Sequence, residues 1–240
     1  FMIIGSLPFV VYLKMTHGDW KSLFKDDQIK LFLSILLFII IITTFWLKQN
    51  FNEDALYLFR ITAFNITSIL TGTGYTSTNY NVWGGFGIVI MLFIMFIGGC
   101  AGSTTGGIKI FRLLLLFRGA KTQIKKLTHP HGVFITSFNN KSVGENAFNS
   151  IMGFFFMYIL TFIFSTILLS FFNMDFLTAL SAAASAISNV GPGLGSTIGP
   201  TGNYALIPTE AKWVLSLTML IGRLELFTFL VLLSVSFWKK

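Results

Sequence analysis

Few residues in this chain carry a charge: 11% of its 240 residues are Asp, Glu, Lys or Arg, against about 25% in a soluble domain. With 54% hydrophobic residues, 28 Phe and a mean hydropathy of +0.76, that shortage excludes an ordinary soluble fold. A membrane-crossing helix takes about 20 residues, so the length allows several spans but not spans plus a sizeable water-soluble domain. A single Cys excludes an internal disulfide and a Cys-clustered metal site. His17, His129 and His131 all lie away from the apolar runs, and no group of His, Cys or carboxylates has metal-ligand or catalytic spacing. The net charge of +8 would suggest nucleic acid in another composition. Here the basic residues are read against the spans instead, and no nucleic-acid partner is expected.

The chain opens FMIIGSLPFVVYLK, without the basic n-region and small-residue cleavage site of a secretory signal. It reads as the end of a longer chain's helix, which makes the sequence a C-terminal portion and implies a preceding half. Four long apolar runs follow, at about 31–47, 82–97, 148–172 and 213–238. Between them lie ALYLFRITAFNITSIL at 55–70 and FLTALSAAASAIS at 176–188. Both are too short or too rich in Ser and Thr to cross, and each runs into a Gly-containing turn, so both are re-entrant candidates. Non-helical backbone at membrane depth is tolerated only when buried in protein or lining an aqueous cavity. The order long, short, Gly turn, long occurs twice, after the words FNED at 51–54 and FNMD at 172–175. The period of about 120 residues exceeds that of solenoid arrays, and the parallel sense resembles repeated channel units more than inverted transporter repeats.

In that topology thirteen of the seventeen Lys and Arg fall on one side: Lys14, Lys21, Lys25 and Lys30, then Lys109, Arg112, Arg118, Lys121, Lys125, Lys126 and Lys141, then Lys239 and Lys240. That side is expected to be cytoplasmic. Glu53, Asp54, Asp175 and Glu210 then surround the opposite mouth, where carboxylates would concentrate cations. Asp54 and Asp175 equally suit helix N-caps.

The turns themselves are Thr71, Gly72, Thr73, Gly74, Tyr75 and Ser188, Asn189, Val190, Gly191, Pro192, Gly193. A dehydrated monovalent cation needs rings of oxygens, and backbone carbonyls supply them where Gly lets the chain aim successive carbonyls at an axis. Gly74 and Gly191 are the pivotal residues in this reading. The helices before the turns direct their C-terminal, negative dipole ends at the same place. Each turn alone could be no more than a C-cap; the matched pair favours an ion filter.

Further along, Gly98, Gly99, Cys100, Ala101, Gly102, Ser103, Thr104, Thr105, Gly106 and Gly107 place five glycines in ten residues. Each costs about 1 kcal/mol in a helix relative to Ala, so the run should break the span. A close helix-packing surface competes with that reading. A phosphate loop fails, because Lys109 does not directly follow a Gly in the required pattern. Arg223 and Glu225 lie in the last apolar run, two residues apart, where an ionisable group is a functional candidate but the two do not face one another on a helix.

TGTGYTSTNY at 71–80, GGCAGSTTGGIKIFR at 98–112, ISNVGPGLGS at 187–196 and GRLELFTFLVLL at 222–233, in this order and spacing, resemble the third and fourth pore units of the Trk/Ktr/HKT superfamily of potassium transporters, closest to the bacterial TrkH type. GSLPF at 5–9 and DDQIKLF at 26–32 resemble the end of the second unit and its link to the third. The resemblance covers essentially the whole chain. It implies an all-α integral membrane fold of M1, re-entrant pore-helix, M2 units, arranged pseudo-fourfold around one potassium filter.

The implied organisation is residues 1–30 as a preceding M2 end and cytoplasmic link; a unit at 31–118 with M1 at 31–47, pore helix at 55–70, filter at 71–75 and an M2 containing the Gly-rich loop at 82–118; a basic cytoplasmic link at 119–147; and a unit at 148–240 with M1 at 148–172, pore helix at 176–188, filter at 189–193 and M2 at 211–238. Carried over by position, Gly72, Thr73, Asn189 and Val190 would bind potassium, within filter segments that include Thr71, Gly74, Tyr75, Ser188, Gly191 and Pro192. Neither segment has the full Thr-Val-Gly-Tyr-Gly of tetrameric potassium channels. Gly98, Gly99, Gly102, Ser103, Thr104, Gly106, Gly107, Lys109 and Arg223 would form the gate: a loop that obstructs the pore below the filter, and an Arg that opposes cation passage or bonds to loop carbonyls.

The resemblance further implies potassium uptake through a multi-pass protein of the bacterial inner membrane, in contact with lipid. Potassium is the transported ligand, and no covalently bound cofactor is expected. A homodimer of full-length chains and a ring of nucleotide-binding regulatory subunits on the cytoplasmic side complete the expected partners, with the segment from Arg112 to Lys141 the best docking surface. That basic stretch could equally be a solvated face or a contact to anionic lipid. Passive transport and proton- or sodium-coupled symport remain open. The alternatives are a secondary transporter of another small solute using broken helices and an intramembrane enzyme; against the latter, no His lies in a span and no G-x-S-x-G elbow occurs.

Overall fold

The computed structural model describes residues 1–129, 132, 134, 136–139, 141–224, 226–233 and 235–238. Glu225, His131, Lys239 and Lys240, singled out above, lie outside the described residues.

Short helices α1 (Met2–Gly5), α2 (Phe9–Thr16) and α3 (Ser22–Lys25) lead into the long α4 (Asp27–Asn50). α4 starts four residues before the apolar run at 31–47, because Asp26 is its N-cap: the carboxylate accepts a hydrogen bond from the Gln28 amide at 2.8 Å. The unit continues with α5 (Ala55–Leu70) and α6 (Gly84–Phe96). After a non-helical stretch, α7 (Ile110–Thr128) runs ten residues into the expected link at 119–147. Helix-favouring Lys, Gln and Leu carry it on, and it stops two positions before Pro130 in the sequence. A two-residue ribbon, β1 (Ser137–Phe138) with β2 (Lys141–Ser142), is antiparallel, pairs Ser137 with Ser142, and is the one departure from helix among the described elements.

The second unit comprises α8 (Glu145–Phe171), α9 (Phe176–Ser188) and α10 (Thr209–Arg223). α10 is capped at Leu224, and α11 (Leu226–Leu233) and α12 (Val235–Trp238) follow. Within the last expected span at 211–238, α10 therefore ends at Arg223.

Packing repeats with the sequence. α5 lies against α4 and α6, α9 lies against α8 and α10, and α6 also packs on α9, joining the units. The first core gathers Phe32, Leu36, Leu58, Ile66, Ile69 and Met91, the second Leu169, Ala182, Ala183, Ala211 and Leu215. The alanines of α9 let α8 and α10 approach it closely. On the outward faces Phe38, Ile41, Phe45, Phe156, Phe164 and Ile167 are each more than 60% exposed. Water would not sustain such stripes, whereas α4 and residues 146–171 of α8 are long and apolar enough to cross a bilayer.

Candidate functional site

α5 ends at Leu70 and α9 at Ser188, and the chain leaves both helices by the same backbone path. The amides of Gly72 and Asn189 donate to the carbonyls of Ile69 and Ala186, at 3.0 and 3.1 Å. The amides of Thr73 and Val190 donate to the carbonyls of Ser68 and Ser185, at 2.9 and 3.0 Å. Gly72 and Asn189 both take left-handed conformations, with φ of +64° and +55°, and Gly74 and Gly191 do so again, at +79° and +110°. Asn is the non-Gly residue best suited to that region, which explains Asn189 where the other unit has Gly72. With the amides turned back to their own helices, the carbonyls of Gly72, Thr73, Asn189 and Val190 face away, and among the described residues none receives a hydrogen bond. The C-terminal dipoles of α5 and α9, each equivalent to about half a negative charge, converge on the same place.

The two segments meet. A Cβ on Gly72 would lie 3.8 Å from the Asn189 carbonyl oxygen, and one on Gly74 would overlap the Val190 carbonyl oxygen and press on Pro192 Cδ at 3.1 Å. Polar side chains hold the segments from behind. Buried Asn65 donates to Ser77 Oγ at 2.8 Å and Thr78 Oγ1 at 3.1 Å while accepting from the Ser77 amide at 3.1 Å. In the second unit Ser185 Oγ accepts from the Gly191 amide at 3.0 Å, and Ser181 Oγ from the Leu194 amide at 2.9 Å. Tyr158 and Ser188 share a hydrogen bond of 2.7 Å. Tyr204 donates to the Gly191 carbonyl at 2.8 Å; burial pushes its pKa up, so it stays a donor at physiological pH. The Tyr75 side chain, 70% exposed, stands apart at the mouth.

Below the segments, residues 97–109 form a loop rather than a helical packing face. A parallel bridge between Ile97 and Ile108 closes its ends, with the Gly98 amide on the Ile108 carbonyl and the Ile108 amide on the Phe96 carbonyl, both at 2.9 Å. Gly106 lies at the base of the second segment, where a Cβ would overlap the Ser188 carbonyl oxygen. Close backbone approach, rather than a left-handed conformation, therefore demands glycine there. On the loop's other side the Cys100 amide donates to the Ser6 carbonyl at 2.9 Å, the Phe9 amide to the Gly102 carbonyl at 3.1 Å, and the Ala101 amide to Gln28 Oε1 at 2.8 Å. Gly99 faces Ser6 and Thr105, and Gly98 faces Gly106 within the loop.

Two cationic side chains gather the loop's inner carbonyls. Lys109 Nζ donates to the carbonyls of Ser103, at 3.3 Å, and Thr105, and Arg223 Nη1 donates to the Thr104 carbonyl at 3.0 Å. A cavity of about 200 Å³ lies among Ser103, Thr105, Gly106, Lys109, Gly222 and Arg223. Gly222 packs so closely on the Ile187 carbonyl that a Cβ could not fit, which brings the end of α10 under α9.

The residues singled out in the sequence thus fall into one stack: the paired segments, then Gly106 and the loop, then Lys109 and Arg223. Asp54 and Asp175 occupy the N-cap positions of α5 and α9, but both carboxylates are exposed and neither makes a cap hydrogen bond. Sequence reasoning missed Asn65, Ser181, Ser185, Tyr204 and Gln28, which hold the stack in place. An Asn within a short apolar helix was the signal available for Asn65. Among the described residues no group of three or more His, Cys, Asp or Glu could hold a metal ion.

The family model for TrkH, described as a cation transport protein, matches residues 1–240. The chain belongs to the TrkH family. It is 42% identical over its whole length to the Trk system potassium uptake protein TrkI of Halomonas elongata, covering 49% of that protein. It is 34% identical to the TrkH of Salmonella typhimurium, covering 50% of it. Its fold is similar to the crystal structure of the potassium transporter TrkH from Vibrio parahaemolyticus, with a TM-score of 0.90 at 34% identity, over 99% of this chain and 51% of that one. The chain spans about half the length of the curated relatives it matches. Membership makes it an all-α membrane protein of a transport family rather than an enzyme, and gives the exposed apolar stripes of α4 and α8 their lipid environment.

Proposed function

We propose that this chain contributes two carbonyl-lined pore units to a potassium uptake pathway of the bacterial inner membrane, in a multi-pass protein whose four such units surround one filter pseudo-fourfold. The single observation that carries the reading is the matched pair of segments, 71–75 and 188–192, with the same amide-to-helix bonds and the same left-handed positions, lying against one another with the Asn189 and Val190 carbonyl oxygens beside Gly72 and Gly74. Carbonyl oxygens replace the hydration shell of a monovalent cation, and the carbonyls of Gly72, Thr73, Asn189 and Val190 are assigned that role. The relatives named for potassium uptake supply the choice of ion.

The 97–109 loop is the gate, held shut by Lys109 and Arg223 on its carbonyls and released when those contacts break. A cytoplasmic regulatory partner acts on it through the basic surface of α7, and full-length chains pair as a homodimer. The test is uptake of potassium, rubidium, sodium and a neutral solute by the protein carrying this chain, in cells without other potassium uptake. Potassium and rubidium should enter well ahead of sodium and the neutral solute should not enter; uptake of the neutral solute would favour a broken-helix transporter instead.

A further inference from the structure

We propose that Asn81 is a positioning residue that locks the two carbonyl segments to one another from outside, and thereby sets how strongly potassium is preferred over sodium. The proposal rests on the filter reading above. Asn81 belongs to the 3-10 turn Tyr80–Trp83 of the first unit, yet its side chain bonds the second. Its Nδ2 donates to the Gly195 carbonyl at 2.8 Å, and its Oδ1 accepts from the Gly195 amide at 3.3 Å. This pairing satisfies both backbone groups of one residue with one amide, as a strand partner would.

The site is shaped for that amide. Gly195 has φ of +92°, and a Cβ on Gly199 would overlap Asn81 Nδ2. The limb that climbs from Gly191 is thereby suspended between two side chains. Ser181 of α9 holds Leu194 from within the unit, and Asn81 holds Gly195 from across the unit boundary. The other cross-unit bond nearby, from Thr76 Oγ1 to the Pro200 carbonyl at 3.2 Å, is single and lies further along the chain.

Ion choice by carbonyls depends on their number, field strength and separation. The carbonyl segments belong to different units, with the Asn189 and Val190 carbonyl oxygens lying beside Gly72 and Gly74, so their separation depends on a cross-unit restraint rather than on either helix alone. Asn supplies a donor and an acceptor together; Asp keeps the shape but loses the donor, and Leu keeps the bulk but loses both.

Reversal potentials of the protein carrying this chain, recorded in a bilayer under mixed potassium and sodium, test the proposal through Asn81→Leu, Asn81→Asp and Thr76→Ala, with Gly191→Ala as a filter reference. Asn81→Leu should lower the potassium-to-sodium permeability ratio about fivefold, equivalent to about 1 kcal/mol, with little change in the amount of inserted protein. Asn81→Asp should lower it in the same direction and Thr76→Ala should leave it near the original value. A structural role alone would lower the amount or the current and leave the ratio untouched. If both Asn81 variants retain the ratio while Gly191→Ala changes it, the clamp is overturned and the filter stands. If Gly191→Ala also leaves it unchanged, the filter reading falls and the clamp with it. If neither Asn81 variant reaches the membrane, Asn81 serves assembly and the proposal is overturned.

Discussion

The Arg223 guanidinium donates to the Thr104 carbonyl at 3.0 Å, tying the last turn of α10 to the Gly-rich loop. A charge free in the pore and a charge bonded to the loop have different consequences. A free unit charge about 4 Å from a passing cation opposes it by about 4 kcal/mol at an effective dielectric of about 20, and removing it would chiefly raise unitary conductance. The bond makes Arg223 a latch, so Arg223→Gln or Arg223→Ala should chiefly raise open probability. A charged hydrogen bond is worth about 1.5 to 3 kcal/mol; Arg223 is exposed, which puts the expected increase at the low end, about tenfold. Single-channel recording separates the two effects.

Gln28 is the first-turn residue of α4 that accepts the Ala101 amide at 2.8 Å, and it is buried at 7% exposure. Gln28→Leu fills the space but removes the acceptor, leaving a loop amide unpaired at a cost of about 1 to 3 kcal/mol. The loop's closed position should bear that cost. Expected results are a raised potassium leak when no cytoplasmic partner is present and a lower thermal midpoint, read by flux into vesicles and by melting of purified protein.

Gly74 and Gly191 share a left-handed conformation but not the same surroundings. Alanine at Gly74 meets the Val190 carbonyl and Pro192 as well as backbone strain, whereas at Gly191 nothing lies within 4 Å of the added Cβ. Gly74→Ala should abolish uptake, and Gly191→Ala should reduce it while leaving a measurable flux of altered selectivity. Strain in a left-handed L-residue costs about 1 to 2 kcal/mol. Asn189→Gly should be tolerated and Asn189→Val should not. Uptake per inserted protein ranks the four variants.

Shortening the loop within 98–107 by two or three residues removes the contact of Gly106 with the base of the second segment. Flux per inserted protein should rise and its dependence on the cytoplasmic partner should fall. A drop in both assembly and flux would count against the loop as a gate.

The sequence made the glycines legible and the scaffold behind them illegible. Two short apolar stretches running into TGTGY and NVGPG, and five glycines inside a span, mark places where helix cannot continue. The partners of those turns come from far along the chain. Gln28 reaches Ala101, Asn81 reaches Gly195, and Arg223 reaches Thr104, and a linear pattern carries no sign of such pairings. Asn189 illustrates the limit. Its place in the second turn was readable, but its left-handed φ and the bond from its Nδ2 to the Met219 carbonyl at 3.1 Å depend on α10 packing under α9. The end of α10 at Arg223 was likewise hidden inside the apolar run at 213–238, because apolar composition continues on both sides of it.

Anomalous scattering from rubidium soaked into crystals of the protein carrying this chain measures most directly whether these carbonyls bind the ion. The expected result is a peak coordinated by the carbonyl oxygens of Gly72, Thr73, Asn189 and Val190, lost in Gly74→Ala crystals, displaced by excess potassium and retained in the same excess of sodium. A rubidium peak elsewhere, or one that persists unchanged in Gly74→Ala, would contradict the assignment of these segments as the filter.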